Sequence, residues 1–193
     1  RCDFPGKALV DAIVHLPLVV PPVVIGYLLL LSLGRRGVVG GWLYDTFGLT
    51  LIFTWKGAAI ASAIMAFPLM VRAIRLSLEV VDQRLETAAR TLGATPLQVL
   101  FGITLPLTAP GILAGVVLAF ARSLGEFGAT ITFVSNIPGE TRTLPIALYS
   151  VLQTPNGEVA ALRLAVLSVV LALAALFTSE ILARRLAARL RGQ

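Results

Sequence analysis

The chain has 193 residues, 57% of them hydrophobic and only 13% charged, and its mean hydropathy is +0.90. Soluble domains carry about 25% charged residues, so an ordinary soluble domain and a disordered chain are both excluded. The net charge is +6, but the basic residues flank apolar runs instead of clustering on a soluble face. That distribution excludes a nucleic-acid binder and leaves an integral membrane protein. A single cysteine, Cys2, and a single histidine, His15, leave no intrachain disulfide and no Cys- or His-rich metal cluster.

In chain order, the opening RCDFPGK begins at Arg1, reads as a loop between two elements, and leads us to expect a further N-terminal span upstream. A bilayer-crossing helix needs about 20 mainly apolar residues. The first candidate covers about 12–33. Pro17, Pro21 and Pro22 in its first half predict a bent or broken helix packed on protein. The segment 34–56 reads as an outward loop with Trp42, Tyr44 and Trp55 placed for an interface. The second span covers about 57–78, with Arg72 and Arg75 able to snorkel at its end. A cytoplasmic segment at about 79–104 follows, then a third span at about 105–124, rich in small residues that allow close helix packing. The segment 127–161 reads as a second outward loop, whose middle, TLPIALYSVLQ, can form a short helix. The fourth span covers about 162–183 and ends in a basic tail.

Orientation follows from the flanking basic residues. With the C-terminus inside, the cytoplasmic side collects Arg1, Lys7, Arg72, Arg75, Arg84, Arg90, Arg184, Arg185, Arg189 and Arg191. The outer side holds only Arg35, Arg36, Lys56, Arg142 and Arg163, and Arg122 lies within a span.

The segment between the second and third spans is the most informative. Glu86 to Thr91 favours helix, Gly93 breaks it, and Pro96 suits the first turn of another helix with Val99, Leu100 and Ile103 on its apolar face. A helix–glycine–helix hairpin on a membrane bundle suits docking into a groove of a partner. Arg122 and Glu126 are spaced i, i+4 and can pair on one helix face. Charges in a span face the interior or a water-filled path, so they are either a pathway or gate pair, with Arg122 attracting an anion, or a structural salt bridge. His15 reads either as a proton or anion site or as a satisfied structural residue. Arg35 with Arg36, and Glu140 with Arg142, read either as solvated loop residues or as a receiving surface for an anion or a docked protein. The sequence has no G-x-x-x-x-G-K-[ST] motif and no hydrolytic constellation. It also lacks internal repeats and the intramembrane coupling carboxylates of a secondary transporter.

The hairpin resembles the cytoplasmic loop of ABC importer permeases, whose pattern is E-A-A, three residues, G, nine residues, I, one residue, L-P. Here Thr87-Ala88-Ala89 is followed at the same spacing by Gly93, Ile103 and Leu105-Pro106. The glutamate is displaced by one to Glu86, and Thr87 stands in its place. FPGKALVDAIVHLPLVVPPVVIGYLLL, FPLMVRAIRLSLE and FARSLGEFGATITFVSNIPGETRTLP are similar to the permease subunits of molybdate ABC importers; sulfate permeases share the ARxxGExG character around Arg122 and Glu126. The resemblance implies an all-α, MetI-like permease bundle in the inner membrane, with the hairpin and C-terminus cytoplasmic. It also implies two permease copies, two cytoplasmic ATP-binding subunits and an extracytoplasmic binding protein that selects the anion. ATP and Mg would be bound by the partner ATPase, so this chain would be no enzyme and hold no cofactor. The implied cargo is molybdate, with tungstate beside it, and sulfate or thiosulfate as the alternative. A secondary transporter or a membrane enzyme are the readings outside the class. The resemblance makes Glu86, Thr87, Ala88, Ala89, Gly93, Ile103, Leu105 and Pro106 the ATPase-coupling residues.

Overall fold

In the computed structural model, residues 4–191 are described, without the side chains of Ser179 and residues 182–191. Arg1, Cys2 and the side chains of Arg184, Arg185, Arg189 and Arg191 therefore lie outside the described residues. All regular structure among the described residues is helical: α1 (Lys7–Val19), α2 (Pro22–Leu33), α3 (Val38–Phe47), α4 (Trp55–Val80), α5 (Gln83–Thr91), α6 (Pro96–Val99), a π turn at Leu100–Thr104, α7 (Leu105–Leu124), α8 (Gly128–Val134), α9 (Leu144–Leu152) and α10 (Glu158–Arg191).

Proline placement shapes the first elements. Pro22 opens α2, where its missing N–H costs nothing, and α1 and α2 meet at 117°. The apolar run at 12–33 is thus two helices of 13 and 12 residues instead of one straight span. Among the described residues, α4, the stretch Pro96–Leu124 and Glu158–Thr178 are long and apolar enough to cross a membrane, and the bent α1–α2 pair passes the same test together.

The chain divides into two compact units, Arg1–Pro68 with Arg122–Ala172, and Leu69–Ala121 with Leu173–Gln193. The core of the first is built by α2, the first half of α4 and α8, through Ile25, Leu29, Ala58, Ala61, Met65, Ala129, Phe133 and Val134. Two glycines let α2 and α8 touch. A Cβ on Gly26 would lie 2.6 Å from the carbonyl oxygen of Ala129, and one on Gly128 would lie 2.8 Å from Cβ of Pro22.

Two segments differ from the loops expected at 34–56 and 127–161. The first contains α3, which ends at Gly48 with φ +66°. The second begins with α8, whose Ala129, Thr130, Phe133 and Val134 are fully buried. GATITFV is seven residues long, too short to show a helical period, and neighbouring helices supply its burial. TLPIALYSVLQ contains α9, anchored by the fully buried Ile146.

In the second unit, α7 packs closely on the end of α4. A Cβ on Gly111 would collide with the side chain of Ser77, and one on Gly115 would lie 3.2 Å from the Met70 carbonyl.

Candidate functional site

The hairpin is built from local chemistry. Asp82 caps α5 by accepting from the Arg84 N–H at 2.9 Å. The helix stops at Gly93, which holds φ +90°; the Gly93 N–H donates to Arg90 and the Ala94 N–H to Ala89, both at 3.0 Å. That is the left-handed conformation glycine adopts most cheaply. The next helix starts with a full capping box: Thr95 Oγ1 accepts from the Gln98 N–H, and Gln98 Oε1 accepts from the Thr95 N–H at 2.8 Å. Its Pro96 stands in the first turn.

The second arm does not end where α6 ends. It continues through the π turn into α7 as one apolar stretch, Pro96–Leu124. The Leu105 N–H donates to the Leu100 carbonyl across the wide turn. Pro106, next in line, has no N–H to continue an α ladder, and the π turn takes up the mismatch. The motif residues Ile103, Leu105 and Pro106 therefore sit at the junction between hairpin and long helix, while Ala88, Ala89 and Gly93 sit in the first arm and its turn.

The displaced glutamate has a defined place. Glu86 is half-buried, and its Oε1 accepts from the Thr104 hydroxyl at 2.8 Å. Thr87 is exposed and spends its hydroxyl on the Gln83 carbonyl of its own helix at 3.0 Å. Several apolar side chains of the hairpin stand outward: Leu92 is 88% exposed, and Leu85, Leu97, Leu100 and Phe101 are also exposed. Arg84, Arg90 and Gln98 of the same hairpin are exposed as well.

Arg122 and Glu126 come together in the first unit. Nη1 of Arg122 lies 2.7 Å from Oε2 of Glu126; the arginine side chain is 28% exposed and the glutamate 1%. The other carboxylate oxygen, Oε1, accepts from the Ala129 N–H at 2.9 Å. Glu126 thus neutralises the last turn of α7's arginine and satisfies a free N–H at the start of α8. Its buried charge is doubly partnered, as burial of a carboxylate requires.

The remaining candidates are separate from this pair. His15 Nδ1 lies 2.8 Å from the Asp11 carbonyl within α1. The Arg35 guanidinium stacks 4.1 Å from the Tyr44 ring centre. Arg142 Nε donates to Asn136 Oδ1, and Asn136 Nδ2 donates to Ser150 Oγ, both at 2.8 Å; Glu140 has no ion pair with Arg142 among the described residues. In the sequence Asn136 marks only a turn, and Ser150 was not singled out. Nor were Thr104, Thr108 and Ser77, which connect the hairpin to the long helices. Hydroxyl residues recurring at i, i+4 in an apolar helix, as at Thr104 and Thr108, were the available clue. Among the described residues no group of His, Cys, Asp and Glu could hold a metal ion.

The family model described as "Binding-protein-dependent transport system inner membrane component" matches residues 3–191. The chain is 67% identical over 184 residues to the molybdenum transport system permease protein ModB of Escherichia coli strain K12, covering 95% of this chain and 80% of that protein. Identity to ModB of Haemophilus influenzae is 59% over 190 residues, covering 98% and 83%. A chloroplastic sulfate permease of Chlamydomonas reinhardtii is 40% identical over 180 residues, covering 93% of this chain and 48% of its own length. Among solved structures, an inward-facing form of the MetNI methionine ABC transporter has a TM-score of 0.73 at 19% identity, covering 94% of this chain and 76% of that one. The MetI-like, all-helical fold is therefore shared even where little sequence is, and the chain belongs to the binding-protein-dependent inner membrane components, the multi-pass membrane permeases of ABC importers.

Proposed function

We propose that this chain is the membrane-spanning subunit through which an ATP-driven importer passes molybdate, and tungstate with it, after a soluble binding protein delivers the anion to the outer side. The observation that carries this reading is the 67% identity to a molybdenum permease over 95% of the chain, against 40% for the sulfate permease. Two copies of the chain would form one pathway at their interface. Two cytoplasmic ATP-binding subunits, holding ATP and Mg, would supply the energy.

Residues Glu86, Thr87, Ala88, Ala89, Gly93, Ile103, Leu105 and Pro106 build the element that those subunits grip, on the cytoplasmic side with the C-terminus. Support comes from the exposed Leu92, Leu97 and Phe101, since exposed apolar side chains gain by burial in a partner's cleft, at about 25 cal/mol per Å². The test of cargo is uptake in proteoliposomes carrying the full complex. Labelled molybdate is expected to accumulate only with ATP, and tungstate to compete strongly while sulfate does not. Competition mainly by sulfate would assign the chain to sulfate import with the same mechanism.

Arg122 and Glu126 serve as a gate brace. Glu126 neutralises the arginine and secures α8, so Arg122 offers a screened charge to a passing dianion. Arg122→Ala is expected to lower transport severalfold while leaving the order of anion preference intact. A clean switch of preference in the competition assay would show that Arg122 contacts the anion directly.

A further inference from the structure

The second unit contains a continuous run of hydrogen bonds that begins on the hairpin and ends on α4. Glu86 Oε1 accepts from Thr104 Oγ1 at 2.8 Å, joining residues eighteen apart. The Thr104 carbonyl accepts from Thr108 Oγ1 at 2.8 Å, and the Thr108 carbonyl accepts from Ser77 Oγ at 3.3 Å. Thr104 and Thr108 are 8% and 2% exposed, so water has little access to the threonine ends of these bonds, although Glu86 itself is half-buried. The last link falls where α4 and α7 approach closely, since a Cβ on Gly111 would collide with Ser77. The first link crosses the π turn, the one place where the helix running from Pro96 to Leu124 departs from α geometry. Without a tie at that point, the hairpin could pivot on the turn while α7 stayed still.

We propose that Glu86 is a positioning residue that locks the hairpin to α7 and α4 through Thr104, so that a displacement imposed on the hairpin is transmitted to the long helices. This rests on the reading of the hairpin as the ATPase-coupling element. It departs from the role the motif resemblance gives the glutamate: the side chain faces its own chain, and the docking is left to the exposed Leu92, Leu97 and Phe101. The hydroxyl of Thr104 also lies 3.5 Å from the Val99 carbonyl, a longer and weaker alternative that would hold it when the carboxylate is removed.

The experiment uses the complete importer in proteoliposomes and reads anion transported per ATP hydrolysed, with subunit assembly measured beside it. Glu86→Ala and Thr104→Val are each expected to lower that ratio by about three- to tenfold in assembled complexes, and the double variant to be no worse than either single one. Thr104→Ser, which keeps the hydroxyl, and Glu86→Gln, which keeps an acceptor oxygen, are expected to retain most of the coupling. A purely structural loss would lower assembly and leave the ratio unchanged. Should Thr104→Val fail to assemble, Glu86→Ala reads the same bond from its half-buried end. The proposal is overturned if Thr104→Val couples normally while Glu86→Gln is as damaging as Glu86→Ala, because the carboxylate charge would then act on the ATPase directly. Additive losses in the double variant overturn it as well. Failure of the underlying reading is distinct: Gly93→Asp, which does not touch this bond, would then leave coupling intact.

Discussion

Gly93→Asp is expected to leave the importer assembled in the membrane but to cut its transport-coupled ATP hydrolysis by at least about tenfold. The turn itself tolerates the change better than its φ of +90° suggests. Nothing lies within 4 Å of a Cβ built at Gly93, so there is no collision. The conformational cost is about 1–2 kcal/mol, and aspartate is among the side chains that enter the left-handed region most readily. What changes is the surface: a carboxylate stands beside Leu92, at the tip of a face whose burial in a partner is the proposed source of coupling. An unpaired charge trapped in such an interface costs several kcal/mol. Gly93→Asn isolates that cause, since it has nearly the same shape and backbone tolerance without the charge, and it is expected to keep most of the activity. Equal losses in the two variants would place the effect in the backbone of the turn; normal coupling in Gly93→Asp would remove the hairpin from the ATPase interface.

Glu126→Ala is expected to be the most destabilising single change in the first unit, at about 3–5 kcal/mol. It takes away the counter-charge of Arg122, whose guanidinium lies 2.7 Å away. It leaves the Ala129 N–H without its acceptor at the start of α8, in a fully buried position. It also empties the buried volume of the glutamate side chain, which is 1% exposed. Because α8 supplies three residues of the core, loosening its first turn propagates to α2 and α4. Glu126→Gln keeps an acceptor for Ala129 and loses only the charge, so it should cost clearly less. Thermal unfolding of the solubilised complex checks the order. Equal transitions for the two variants would mean that Arg122 alone accounts for the effect and that α8 needs no tie from Glu126.

The hairpin was the most legible part of the molecule. Gly93 and Pro96 act within a few residues of themselves, as left-handed stop and first-turn proline, so their effect shows in one dimension; the Asp82 cap and the Thr95 capping box are equally local, but only the structure brought them out. The break at Pro21-Pro22 was legible for the same reason. The 117° angle it produces was not, because the angle depends on what α1 and α2 pack against. The burial of α8 was hidden as well. Seven residues hold no period to read, and Gly26 and Gly128 matter only because the backbone of another helix comes within a Cβ's reach.

From composition, basic flanks and turn chemistry alone came a multi-pass membrane chain and the place of the hairpin between two apolar helices; the family came from the resemblance of the hairpin and its flanking stretches to known permeases. These are properties of single segments: bilayer length demands long apolar runs, and turn chemistry is local. The tertiary structure alone decided which atoms those residues meet. It turned Glu86 toward Thr104, paired both carboxylate oxygens of Glu126, and carried the second hairpin arm unbroken into α7. A hydrogen bond across eighteen residues, or a carboxylate hidden from water, exists only once helices have packed, because packing sets the distance and excludes the competing solvent.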